Sequence, residues 1–353
     1  MEASIDAELK EPLVLPPPFE NAALAVEIAT SGAGVLASLV LPTGQFIYAY
    51  EPAAPDIQSP KYNALRHAGS AWSMFDVARH LGPLPSVVTA ASAAVQFMKA
   101  YLLKPFGGTG ALCMVDGERV KLGGAGLAML ALLDHYHFTQ DDSSLQAAKA
   151  LAEYIALERL PNGDFVHSRR YPTLKTRPFH SDYYVGEVLF GLARLHTVTN
   201  DARWLDLASD SAYRLSSVGY GIREQSHWML YALAELNSAA PHRRWMRYAG
   251  LIAEDIIKNP AYRETQRSTP AACRSEGLLA YARMLGGDAP ATGPALESVL
   301  ATVRQDLALQ LKHRLPDGAF MCGGGKETVR IDYIQHNISA FMAYHRFETR
   351  AAL

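Results

Sequence analysis

Two kinds of helix alternate along this chain, and that alternation leaves few folds open to it. One kind is amphipathic: Leu296, Leu300, Val303, Leu307 and Leu311 form a stripe at spacings of three and four, as do Leu145, Ala148, Ala152 and Ile155. The other kind is apolar nearly all round, as in GLAMLALL (Gly126–Leu133), YYVGEVLFGLARL (Tyr183–Leu195) and HWMLYALAEL (His227–Leu236). A helix without a polar face must be buried. The amphipathic helices are expected near 19–39, 84–103, 142–159, 201–216, 241–259 and 292–313, and the buried ones near 62–81, 123–138, 183–198, 224–238, 271–285 and 332–348. Six buried helices inside six half-exposed ones predict an all-α (α/α)6 toroid over residues 19–353, with an open superhelix of helix pairs as the alternative. No segment shows strand alternation beyond a short hairpin such as Phe46–Tyr50, so no sheet core is expected. Residues 1–18 are acidic and proline-rich and are expected to form an extended arm.

Three near-copies of one turn punctuate the pattern: LPTGQF at Leu41–Phe46, LPNGDF at Leu160–Phe165 and LPDGAF at Leu315–Phe320. They follow the first, third and sixth amphipathic helices. Proline cannot continue the helix, glycine supplies a positive-φ turn, and phenylalanine returns to the core. These residues define the fold and are not themselves catalytic. Links from buried to amphipathic helices are short (LGP, TND, SAAP, GGDAP), whereas most links in the other direction are long. Every buried helix therefore starts at the long-loop end of the barrel.

Composition excludes several classes of function. Apolar residues make up 49% of the chain, charged residues 19%, and the net charge is −2, which points away from nucleic-acid and membrane partners. No apolar run approaches the ~20 residues of a membrane span. The opening MEASIDAELKEPLVLPPP lacks the basic start and apolar core of a secretory signal. Cys113, Cys273 and Cys322 suit reduced thiols better than a disulfide framework, and the expected location is cytoplasmic.

Polar residues gather near the starts of the buried helices. YNALRHAGSAW carries Tyr62, Arg66 and His67; HSDYYVGE carries Asp182, Tyr183 and Glu187; REQSHW carries His227 and Trp228; CRSEG carries Arg274 and Glu276; RIDYIQHN carries Arg330, Asp332, Gln335 and His336. Each has a structural alternative: a lone glutamate on a buried helix can pair with an arginine, and a lone histidine can be a satisfied core residue. Their joint occurrence at one end of five helices predicts a ligand funnel. Glu187, Glu276, His67, His227, Asp332 and His336 are the catalytic candidates. Tyr62, Arg66, Asp182, Tyr183, Trp228, Arg274, Arg330 and Gln335 are the substrate-binding candidates. Six helix N-termini and several arginines at one mouth favour an anionic ligand. Gly277, beside Glu276, is expected to let a ligand approach the backbone.

The architecture resembles the α/α-toroid superfamily, which includes glycoside hydrolases, unsaturated uronyl hydrolases, polysaccharide lyases, sugar epimerases, terpene cyclases and lanthionine cyclases. RHAG, GGAGLAMLALL, YVGEVL and RIDYIQH are similar to segments of a widespread bacterial toroid group. LPNGDF resembles the repeat that ends outer helices in terpene cyclases, but the DxDD acid motif of that family is absent. Lanthionine cyclases hold zinc with two Cys and a His. Cys273, Cys322 and His336 are the only candidates here and the paired Cys–His is missing, so neither a metal nor another cofactor is expected. The resemblance implies a carbohydrate-active enzyme using general acid–base chemistry on an anionic, uronate-like sugar or oligosaccharide, as a hydrolase, lyase or epimerase. A natural-product cyclase with an apolar pocket and a non-catalytic scaffold are the alternatives.

Overall fold

The structure, a computed structural model, describes residues 15–59, 61–82, 84–286 and 292–350. Residues 1–14 of the expected arm, and most of the GGDAP link, lie outside the described residues. The amphipathic helices are α1 (Ala22–Ser38), α3 (Pro85–Phe97), α5 (Asp142–Leu157), α7 (Ala202–Ser216), α9 (Arg243–Lys258) and α11 (Leu296–Leu311). The apolar ones are α2 (Ala64–Leu81), α4 (Leu122–Thr139), α6 (Tyr184–Thr199), α8 (His227–Ala239), α10 (Ser268–Leu285) and α12 (Ile331–Arg350). Each apolar helix packs on the apolar helices before and after it, and α12 returns to α2. The inner ring is therefore closed, and the open superhelix is excluded.

Burial follows the pattern that sets each helix's place. In α4 every residue from Leu122 to His135 is buried, because α2 and α6 flank it and α5 covers its back. The outer α9 buries one face only, with Trp245, Tyr248, Ala249, Gly250, Ile252, Ala253 and Ile256. Glycine brings inner helices together. A Cβ at Gly126 would lie 2.5 Å from the backbone of Glu187, and one at Gly186 would lie 2.5 Å from the backbone of Trp228 and Met229. Gly277 does the same between α10 and α8, where a Cβ would be 3.0 Å from the Cα of His227. It faces a neighbouring helix, not the ligand space expected of it.

The three repeated turns are alike in structure. Gly44, Gly163 and Gly318 have φ of 85°, 91° and 96°. In each copy the Leu amide donates to the carbonyl four residues on, at 2.7–2.8 Å. Phe46, Phe165 and Phe320 are buried. Each glycine also leaves no room for a side chain against the next outer helix: Gly44 against Ala93 of α3, Gly163 against Ser211 and Arg214 of α7, and Gly318 against Ser31 of α1. The motif is thus a clasp between neighbouring outer helices.

The long links carry short antiparallel strands, of which the sequence pattern showed only the stretch near Phe46–Tyr50. β1 (Ala49–Glu51), β2 (Ala54–Gln58), β8 (Met321–Gly323) and β9 (Lys326–Arg330) form one sheet in the order β2-β1-β9-β8. β3 (Leu103–Pro105), β4 (Leu112–Asp116), β5 (Arg119–Lys121), β6 (Ser168–Arg170) and β7 (Lys175–Thr176) form the other in chain order. Runs of two to five residues are too short to show alternation. β1 pairs with β9 with Ala49 opposite Arg330, which ties the first long link to the last. At the opposite end, Asp134 takes ion pairs from Arg79 and Arg194, and Asp76 takes one from Arg346.

His67, expected in the funnel, lies in the wall between α2 and α3 instead. Its Nε2–H donates to the Ala94 carbonyl at 2.8 Å, and its Nδ1 accepts from the Tyr62 hydroxyl at 2.6 Å. Tyr62 in turn accepts from the Phe46 amide, so both residues are satisfied structural groups. Burial pushes the His67 imidazole down to about 4. Its folded-state value lies below the unfolded one, so the folded protein resists protonation and loses stability as pH falls from about 6.5 towards 4. The full effect is about 3 kcal/mol. Denaturant unfolding of the wild type and His67→Gln at pH 7.5 and 5 should show a steeper loss in the wild type; equal slopes would place the sensitivity elsewhere.

Candidate active site

The inner helices begin at the long-loop end, and their first turns surround a cavity of about 340 Å³. From α2 comes Arg66, and from α4 Leu127. The segment entering α6 brings Ser181, Tyr183, Tyr184 and Glu187, and α8 brings His227 and Trp228. The start of α10 supplies Arg267, Thr269, Pro270, Cys273 and Arg274, and the start of α12 supplies Arg330, Asp332, Tyr333, Gln335 and His336.

At the floor two imidazoles face each other. His227 and His336 have ring centres 5.4 Å apart at 78°. They differ in their partners. His336 donates from Nδ1 to Oε1 of Glu276 at 2.8 Å, and Glu276 Oε2 accepts from the Tyr231 hydroxyl at 2.9 Å. Besides this bond from Nδ1, the His336 ring hydrogen-bonds the Cys273 side chain. His227 is buried, and neither of its nitrogens has a hydrogen-bond partner. Burial opposes charge on His336, but Cys273 and Glu276 outweigh it and hold the ring well above the ordinary histidine value. Burial holds His227 well below that value, and His336 and Arg274 add to the effect. One ring is thus kept as a cation and the other as a neutral base.

The walls are rich in arginine. Asp332 Oδ2 pairs with Arg66 Nε at 2.9 Å and with Arg330 Nη2 at 2.9 Å, and the Arg330 guanidinium lies 4.1 Å from the centre of the Tyr333 ring. Arg274 donates from Nε to Gln225 at 3.1 Å. Glu187 is a different case. Burial pushes its carboxyl up to about 8 against the pull of His336 and Lys121, so it is mainly protonated at neutral pH. Its Oε2 has no partner, and neither does Gln335 Nε2. The room for that carboxyl comes from α4: a Cβ at Gly123 would fall 1.8 Å from Glu187 Oε2 and 2.4 Å from the Tyr184 ring.

The structure brings together Arg66, Tyr183, Glu187, His227, Trp228, Arg274, Arg330, Asp332, Gln335 and His336. Four expected residues fall outside the cavity lining. Tyr62 and His67 face the outer layer. Asp182 is exposed, one residue before the segment that turns inward. Glu276 is fully buried behind His336; its neutralising partner is that histidine, not an arginine, so it is not a carboxylate in a wet pocket. Arg267, Thr269, Pro270 and Ser181 were missed. α10 begins at Ser268 rather than near 271, since a proline is tolerated in a first helical turn, and STP was the readable signal. Among the described residues Cys273 and His336 group with His227 and Glu276, not with Cys322.

No family model matches the chain, and no curated protein does. Solved structures do. A D-mannose isomerase superposes with a TM-score of 0.70 at 12% identity, over 93% of this chain and 97% of the other. Cellobiose 2-epimerase from Spirochaeta thermophila gives 0.70 at 11% identity, over 93% and 97%. An unsaturated glucuronyl hydrolase specific for heparin gives 0.64 at 12% identity, over 93% and 98%. The fold is that of the α/α-toroid carbohydrate-active enzymes. Among the described residues no helix is long and apolar enough to cross a membrane.

The packing around Glu187 gives a paired test. Gly123→Ala should lower stability by about 1–3 kcal/mol through overpacking. Gly34→Ala in α1, where a Cβ meets nothing within 4 Å, should raise it by about 0.5–1 kcal/mol. Urea unfolding of both variants reads the difference. A neutral Gly123→Ala would mean that Glu187 does not sit against α4.

Proposed function

We propose that the protein is a sugar epimerase or isomerase, moving a proton at the carbon next to the carbonyl of an open-chain aldose that carries an anionic group. The observation that carries this reading is the floor pair: a neutral imidazole with both nitrogens unpartnered and a cationic one backed by Glu276, on facing helices of one cavity. His227 takes the proton from the carbon, and the electron pair moves onto the carbonyl oxygen. The resulting enediolate is stabilised by the arginines and by the protonated carboxyl of Glu187. His336 then gives a proton from the other side. Return to the same carbon inverts it; delivery to the neighbouring carbon, with the hydroxyl proton passing from that hydroxyl oxygen to the former carbonyl oxygen, interconverts aldose and ketose. Aromatic faces at Tyr183, Trp228 and Tyr333 suit a sugar ring.

Hydrolysis fits less well. It needs a working carboxylate pair. Asp332 is committed to two arginines and Glu276 lies behind His336, which leaves Glu187 alone. An apolar cyclase pocket is disfavoured by the polar lining, and a scaffold by the buried polar atoms of His227, Glu187 and Gln335 that lack partners. The anionic substrate is supported by four arginines in the lining, where the carboxyl of Glu187 keeps its proton and Asp332 is paired with two of them. The similarity to an isomerase and a 2-epimerase agrees with the reading.

Incubation of uronates, sugar phosphates and neutral aldoses in heavy water tests it. NMR should show deuterium entering next to the carbonyl, fastest for an anionic sugar. His227→Asn and His336→Asn should each lower the rate by a factor on the order of 10²–10⁴. Cleavage of a glycoside without exchange would instead establish a hydrolase. Glu276→Gln separates positioning from mere support. Without the carboxylate, His336 gives up its proton at lower pH, so the alkaline limb of the rate profile should move down. A uniform loss at every pH would make Glu276 structural only.

A further inference from the structure

We infer that the floor of the cavity is also a binding site for a soft divalent cation of the Zn2+ type. One ligand atom each from His227, Cys273, Glu276 and His336 (a ring nitrogen, the sulfur, a carboxylate oxygen and a ring nitrogen) all lie within 4.8 Å of one another. Zinc bonds of roughly 2.0–2.3 Å in a tetrahedron place ligand atoms roughly 3.3–3.8 Å apart, so a shift of about 1 Å closes the set. His227 is buried, without a hydrogen-bond partner, and aimed at this point. Glu276 stands behind His336 and accepts from its Nδ1, and Tyr231 stands behind Glu276. A carboxylate in that place fixes the tautomer that presents Nε2 and strengthens it as a ligand. Cys273, His227 and His336 then form the inner set, and the fourth position opens to the cavity. One thiolate and two imidazoles select zinc-like metals over magnesium or calcium, and the thiolate with Glu276 balances the charge.

A second cluster of similar composition does not qualify. Asp164, His167 and His180 also bring ligand atoms within 4.8 Å. The Ser181 amide, however, donates to Nδ1 of His167, so Nε2 keeps its proton and donates it to Asp164 at 3.0 Å. That nitrogen has no lone pair for a metal. On the floor both nitrogens of His227 are unpartnered, and the metal takes the place of the Nε2 proton of His336.

Metal there occupies the nitrogens that the proposed sugar reaction uses, so it inhibits that reaction; this consequence alone rests on the functional reading. The test is a Co2+ titration of the full chain after chelator treatment. The expected result is one equivalent bound, with the visible bands of a four-coordinate site, a thiolate charge-transfer band, and displacement by Zn2+. Cys273→Ser should remove the charge-transfer band, Cys322→Ser should keep it, and Glu276→Gln should weaken binding about 10–100-fold. Absence of stoichiometric binding, or a charge-transfer band that survives Cys273→Ser in a variant with an unchanged circular dichroism spectrum, overturns the inference. Deuterium exchange measured on the metal-free chain before cobalt is added keeps the readings apart. Exchange without cobalt binding sinks only the metal site, and cobalt binding without exchange on any sugar sinks only the sugar reaction.

Discussion

Backbone against backbone at a few glycines is the contact on which the rest depends. Gly126 meets the backbone of Glu187, Gly186 that of Trp228 and Met229, and Gly277 the Cα of His227. Any side chain at these points would push the first turns of α4, α6, α8 and α10 apart. Held together, those turns place side chains from neighbouring helices within reach of one another across a small cavity. Closing a ring of six helices is thus also what assembles the chemistry. The clasps at Gly44, Gly163 and Gly318 do the parallel task for the outer layer, each fixing one outer helix to the next.

Burial then acts on the assembled groups in opposite ways. His227 has no hydrogen-bond partner, and desolvation, with His336 and Arg274 adding to it, keeps it neutral. His336 has Glu276 and Cys273 beside it, and their charge outweighs desolvation. Glu187, set in the gap that Gly123 leaves, keeps its proton. Three titratable groups of ordinary type are sorted into base, acid and neutral donor by what packs behind them. Tyr231 belongs to the same arrangement, because its hydroxyl saturates the far oxygen of Glu276 and leaves the near one for His336.

Much of this was legible in the sequence, for a physical reason. A buried helix must be apolar all round, so α4, α6 and α8 announce themselves, and the six-by-six alternation yields the toroid. Which side of a helix a residue takes is harder to read near its end. Arg66 lines the cavity while its neighbour His67 faces α3, since consecutive residues point about 100° apart. Glu276 lies three residues beyond Cys273, nearly one turn deeper, and so falls behind the floor instead of on it. Apart from the stretch near Phe46–Tyr50, the strands of the long links were not legible, because they span five residues or fewer and gain their order from pairing with one another, as β9 does with β1. Only the folded chain shows which carboxylate backs which histidine.

His227 and His336, in contact, hold opposite protonation states. Nitrogen-15 NMR of the protein labelled at histidine, assigned by His227→Asn and His336→Asn, reads this directly. At about pH 7 the account predicts an imidazolium for His336, with both nitrogens protonated, and a neutral ring for His227 that stays neutral well below pH 6.5. Two rings that titrate together near the ordinary histidine value, or a neutral His336 at pH 7, would contradict it.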